Sequence, residues 1–182
     1  MKETNLKKVS IRLVSDLPLL SKEKMDSPEA AIRVAGKYLS EMDRELLAVI
    51  NLNSKLQPIN FNVVSIGTVN QSLAVPREIL KSAVLSNATH MIMMHNHPSG
   101  ELTPSKDDVI VTSKLIAATE LLGISLVDHI IVGPNRKDYF SMSKKESVNF
   151  HPGTTYESKL EYLKFKFDKE MKVAEQEIGK AR

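Results

Sequence analysis

The polar and apolar positions along the chain first signal a regular element at residue 27. Ser27-Pro28-Glu29 opens it with a capping residue, a proline at the first helical position and an acid in the first turn. A helix is predicted from there to about residue 42. The pattern then changes to short apolar runs bounded by turn residues. Residues 46–52 and 58–69 read as two strands, with Asn53-Ser54-Lys55 as the hairpin turn between them. Residues 76–86 return to helical spacing. Met91-Ile92-Met93-Met94 is continuous and apolar, as a strand buried on both faces is. A further helix starts at Ser105. Its broad apolar surface includes the stripe Val111, Leu115, Ala118 and Leu122, and Gly123 is its stop. Strands at 124–132 and 139–142 follow. The order α-β-β-α-β-α-β-β predicts an α/β domain, a mixed sheet flanked by helices.

Both ends depart from this pattern. Residues 1–26 read as an N-terminal arm with one strand at 9–14. Past residue 146, Thr154-x-x-Glu157 forms a capping box, and Tyr156, Leu160, Leu163, Phe167, Met171, Ala174 and Ile178 follow at steps of three and four. Residues 147–182 are therefore predicted to carry one long amphipathic helix. It either packs back on its own domain or frays, or it pairs with another copy of the chain, giving a homodimer, or with a partner. The core domain is placed at 27–146.

Composition narrows the classes. A length of 182 residues with 42% hydrophobic content suits one globular domain with appendages. Cysteine is absent, which removes a disulfide framework and a thiolate metal site. No apolar run approaches the roughly 18 residues of a membrane span. Residues 11–20 are broken by Arg12, Ser15, Asp16 and Pro18, unlike a secretory leader. The expected home is cytoplasmic. The net charge of +3 is mild, lysines and acids are interspersed, and aromatics are few, so the support for nucleic-acid binding is weak.

The chemistry concentrates in His95-Asn96-His97-Pro98-Ser99-Gly100 and the Thr103-Pro104-Ser105-Lys106-Asp107-Asp108 that follows. Alternation along a strand puts His95 and His97 on one side, with Cβ atoms about 6.5 Å apart, and turns His90 away. Two imidazoles so placed can bind one ion. A carboxylate in the first turn of the next helix can join them, and helical phase leaves Asp107 and Asp108 both open. Ser105-x-x-Asp108 is also close to a capping box, so the pair could end the helix, ligate, or do both. Ser99 lies outside any Gly-x-Ser-x-Gly elbow and reads as a turn residue. Asp128 and His129 sit in an apolar strand, where a structural role is the default. His151, in a His-Pro-Gly turn, is not expected to be a ligand.

His95-x-His97, seven residues, Ser105, two residues, Asp108 resembles the motif of the JAB/MPN (JAMM) metalloprotease family. His-Asn-His-Pro-Ser-Gly, the later Thr-Pro-Ser, Pro76-Arg77-Glu78-Ile79 and Asp128-His129-Ile130-Ile131-Val132 resemble its RadC branch. The resemblance spans about residues 27–142. It implies a JAB/MPN fold with cytidine-deaminase-like layering, and a metal held by His95, His97 and Asp108. Zn²⁺ is expected, with Mn²⁺ or Fe²⁺ also compatible with these ligands. Glu45 matches the upstream glutamate of the motif and would be the general base. Glu78 is its rival, but looks like a first-turn acid of a helix. Ser105 would stabilise the oxyanion. The implied activity is hydrolysis of a peptide or isopeptide bond in an unidentified peptide or protein. The alternatives are a RadC-type nucleic-acid-associated protein and an inactive scaffold module. Full-length RadC proteins also carry a helix-hairpin-helix region, which residues 1–26 do not resemble.

Overall fold

Ser27 caps the first helix as its place before a proline demands: its hydroxyl accepts the Ala30 N–H at 3.3 Å. The structure, a computed structural model, describes Leu13 and residues 23–67, 75–135 and 137–150. The predicted first helix is helical but not uniform. α1 (Pro28–Ala31) widens into a π-helical segment, Ile32–Gly36, and then continues as α2 (Lys37–Ser40). Ala30, Ala31, Ala35 and Leu39 stay buried along its length.

Five strands form the sheet: β1 (Leu46–Leu52), β2 (Pro58–Ile66), β3 (His90–Asn96), β4 (Ser125–Val132) and β5 (Tyr139–Ser141). Their order is β2-β1-β3-β4-β5. Only the β3–β4 pair is parallel; the other neighbours are antiparallel. A parallel pair needs a crossover, and α4 (Lys106–Leu121) supplies it. α3 (Pro76–Leu85) precedes β3. The β1–β2 connection is a hairpin in which Asn53 Oδ1 accepts the N–H groups of Lys55 and Gln57. The mixed α/β sheet flanked by helices agrees with the sequence reading.

Alternation along β1 and β3 splits the core. Leu47, Val49, Met91 and Met93 pack with Ile79, Leu80, Ala83, Leu115 and Ile116 of α3 and α4. Leu46, Ala48, Ile50, Ile92 and Met94 pack on the opposite face with Ala31, Ala35 and Leu39. The odd-numbered positions of β3 therefore face α4, and the even-numbered ones face the first helical segment.

Of the stripe predicted for α4, Leu115 is buried and Val111 and Ala118 pack against the core, but Leu122 does not. The helix buries Asp108, Thr112, Leu115, Ile116 and Thr119, whereas Leu122 is 52% exposed. Threonines enter a buried face because each can return its hydroxyl to the preceding turn; Thr119 Oγ1 donates to Ile116 O at 2.9 Å. No helix among the described residues is long and apolar enough to cross a membrane. The chain divides into a compact unit ending at Phe150 and a second unit from His151. Apart from Leu13, the predicted strand at 9–14 lies outside the described residues, as do the predicted C-terminal helix and His151.

Candidate metal centre

His95 sits at an odd position of β3, facing α4, and is 2% exposed. His97 follows the strand by one residue and keeps an extended path, its N–H donating to Val132 O at 2.9 Å. The two rings lie on the same side, as alternation requires, with centroids 4.7 Å apart and Nε2 atoms 2.9 Å apart. His90, of opposite parity, contacts Thr89 at the far end of the strand.

The third group comes from the start of α4. Ser105 is the N-cap and Asp108 the third helical residue, and they form a complete capping box. Asp108 Oδ2 accepts the Ser105 N–H at 2.7 Å and the Ser105 hydroxyl at 2.6 Å. That fixes the carboxylate and turns Oδ1 toward His95 Nε2, 3.3 Å away. Asp108 is buried beside His95, and it rather than Asp107 is the carboxylate that lies within the cluster. Ser105 is cap and neighbour of the cluster at once.

His95, His97 and Asp108 each offer a ligand atom within 4.8 Å of the others. The donor set fits a divalent cation. Zinc bound tetrahedrally at 2.0–2.1 Å sets its ligand atoms about 3.3 Å apart; His95 Nε2 lies 2.9 Å from His97 Nε2 and 3.3 Å from Asp108 Oδ1, and His97 Nε2 lies 3.8 Å from Asp108 Oδ2. The outer ring nitrogens are also held. His97 Nδ1 donates to the Glu101 carbonyl at 2.5 Å, which leaves Nε2 as a lone pair. Gly100, at φ +82°, makes the turn that brings that carbonyl back. Burial pushes the His95 imidazole down to about 4, against the pull of the Asp108 charge, so the ring is neutral and fit to ligate.

Glu45 stands immediately before β1, half-buried. It lines one cleft of about 400 Å³ together with His97, Glu101, Ser105, Asp107 and Asp108. Asn96, between the two histidines but of opposite parity, reaches the backbone on both sides of Glu45: it accepts the Leu46 N–H at 2.8 Å and donates to Arg44 O at 2.9 Å. Glu78 lies in the first turn of α3, half-buried and paired with Lys81, and is not among the cleft's lining residues. Ser99 lies on the cleft rim in the turn after His97.

The sequence leaves His129 with a structural role as the default, and the structure sets it behind His95. Its Nε2 lies 2.7 Å from His95 Nδ1, and its Nδ1 lies 2.6 Å from Thr112 Oγ1. A β-bulge explains this placement. Met91 pairs with Leu126 but Ile92 pairs with Asp128, so Val127 is the extra residue. The bulge shifts the parity of β4 and puts His129 on the face of His95. Asp128 is structural: its carboxylate accepts from Ser141 Oγ at 2.6 Å and from the N–H groups of Ser143 and His129. Burial pushes its pKa up, partly offset by those hydrogen bonds.

Residues 25–148 match the RadC-like JAB domain family. A UPF0758 protein of Thermotoga maritima is 44% identical over 126 residues, covering 68% of this chain and 54% of that protein. One from Desulforamulus reducens is 39% identical over 125 residues, covering 69% and 55% respectively. One from Methanosarcina mazei is 41% identical over 115 residues, covering 63% and 50%. The chain spans about half the length of these curated relatives.

Proposed function

The chain belongs to the RadC-like JAB domain family, and on that premise we propose that it is a metal-dependent hydrolase of peptide or isopeptide bonds. The observation that carries this reading is the convergence of His95, His97 and Asp108 beside a cleft that also contains Glu45. His95 Nε2, His97 Nε2 and Asp108 Oδ1 would hold the ion, with Zn²⁺ the expected metal. When bound, the ion supplies a Lewis acid that lowers the pKa of a water toward about 7 and polarises the scissile carbonyl.

The chain's own residues do the rest. Glu45 takes the proton of the attacking water and returns it to the leaving amine. Asn96 keeps Glu45 and the histidines in register through its hydrogen bonds to Arg44 and Leu46. Ser105 holds Asp108 in its ligating orientation; rotated toward the cleft, the same hydroxyl would donate to the oxyanion of the tetrahedral intermediate.

The cleft favours this reading over one based on nucleic acid. Among the described residues, its lining includes Glu45, Glu101, Asp107 and Asp108 but neither lysine nor arginine. A phosphodiester substrate brings negative charge and calls for cations. The test is turnover of a peptide and lysine-isopeptide panel by zinc-loaded protein. Cleavage that disappears in the Glu45→Gln variant supports the proposal. Cleavage of single-stranded or duplex DNA, with no amide turnover, contradicts it.

A further inference from the structure

His95 is the most buried of the three ligands, and a chain of polar atoms continues behind it. His95 Nδ1 faces His129 Nε2 at 2.7 Å. His129 Nδ1 faces Thr112 Oγ1 at 2.6 Å. Thr112 Oγ1 lies 2.6 Å from the backbone carbonyl of Asp108, the ligand one helical turn earlier. His129 is 1% exposed and Thr112 is fully buried, so neither has water to fall back on.

The chain has two self-consistent arrangements of hydrogens. In the first, Thr112 donates to His129 Nδ1, His129 Nε2–H donates to His95 Nδ1, and His95 Nε2–H donates to the lone pair of His97. No metal fits there, because His95 carries a hydrogen on its ligating nitrogen. In the second, every direction reverses. His95 Nδ1–H donates to His129 Nε2, His129 Nδ1–H donates to Thr112, and the Thr112 hydroxyl donates to Asp108 O. His95 Nε2 is then a lone pair.

We propose that Thr112 and His129 are positioning residues for the metal, forming a relay that reverses when the ion binds and fixes His95 with its hydrogen on Nδ1. The proposal rests on the metal-site reading above. Each ring keeps one hydrogen in both arrangements, so no ring changes charge: His129 passes its hydrogen to His95 Nδ1, Thr112 passes its own to His129 Nδ1, and the one released from His95 Nε2 to the cleft is balanced by one regained at Thr112 during transient opening of the buried site. Thr112 suits the middle position because a hydroxyl both donates and accepts. The Asp108 carbonyl receives its hydrogen in the metal-bound arrangement. The two ligands His95 and Asp108 are thereby linked through the protein as well as through the ion. Partners of metal-bound histidines are more often carboxylates or carbonyls; here a second imidazole takes that place.

The experiment uses zinc and the full chain. Thr112→Val keeps the shape but leaves the His129 Nδ1–H of the bound state without an acceptor. Zinc affinity is expected to fall about 10–100-fold, and Thr112→Ser to restore most of it. In ¹⁵N spectra of the wild type, His129 is expected to carry its hydrogen on Nε2 without metal and on Nδ1 with zinc. An unchanged His129 tautomer, or equal zinc affinity in Thr112→Val and wild type, overturns the relay. His97→Ala separates the two claims: if wild type binds zinc and His97→Ala does not, the metal site stands whatever the relay does. A wild type that binds no zinc overturns both.

Discussion

The side-chain carbonyl of Asn96 accepts the backbone N–H of Leu46 at 2.8 Å, across fifty positions of sequence. The same amide donates to Arg44 O at 2.9 Å and to Met42 O at 3.3 Å. One buried side chain between the two histidines therefore fixes the backbone around Glu45. Asn96→Ala should cost about 2–3 kcal/mol, because buried backbone groups lose their partners. Asn96→Asp should not rescue it, since a carboxylate oxygen would then face two carbonyls. Urea unfolding with a chelator present measures both. Wild-type stability in either variant contradicts this role.

Glu45→Gln removes a proton acceptor and keeps the shape. Zinc content should be unchanged while any amide turnover falls by about 10²–10⁴-fold. Surviving turnover would move the base elsewhere on the cleft. Loss of zinc would make Glu45 part of the ligand framework.

Ser105 closes the capping box of α4 and donates to Asp108. Ser105→Ala should lower stability in chelator by about 1 kcal/mol, and Ser105→Thr by only a few tenths. Equal losses in the two variants would show that the hydroxyl is not the capping group.

The metal-free protein should lose stability on mild acidification. Burial is the main cause holding His95 down to about 4, and burial also holds His129 well below the ordinary range. In the unfolded chain both titrate near 6.5. Below that pH the unfolded chain binds more protons than the folded one, so stability falls as pH falls. The contribution is complete above about 6.5 and, for His95, levels off below about 4. Glu29, held to about 2 chiefly by its hydrogen bond from Lys144, acts only below its unfolded value of 4.5. A Tm series in chelator from pH 7 to 4.5 reads the histidines together with Asp128, whose pKa, raised by burial, acts in the opposite sense. A flat or rising Tm over that range contradicts the assignment.

The strand-to-helix seam was legible because its signals are local. Met91–Met94 reads as a buried strand, alternation aligns His95 with His97, and Ser105-x-x-Asp108 marks a helix start. What failed depended on partners distant in sequence. The stripe through Val111, Leu115 and Ala118 does meet the core, but the buried face of α4 also takes in Asp108, Thr112 and Thr119 and leaves Leu122 out, because the polar atoms of those three are satisfied within the fold. Phase alone therefore could not choose Asp108 over Asp107. His129 was unreadable for a different reason. Its face is set by the bulge at Val127, and a bulge is a property of the pairing with β3, not of the β4 sequence alone. The part played by Asn96 likewise needs the return of residues 42–46 to the end of β3.

The most direct measurement is metal content. Wild type and the His95→Ala, His97→Ala double variant are reconstituted with zinc, desalted and analysed by mass spectrometry. Wild type should retain about one equivalent, as expected for a three-ligand site with an open position, and the double variant almost none. Equal zinc in the two proteins, or none in either, would contradict the metal centre.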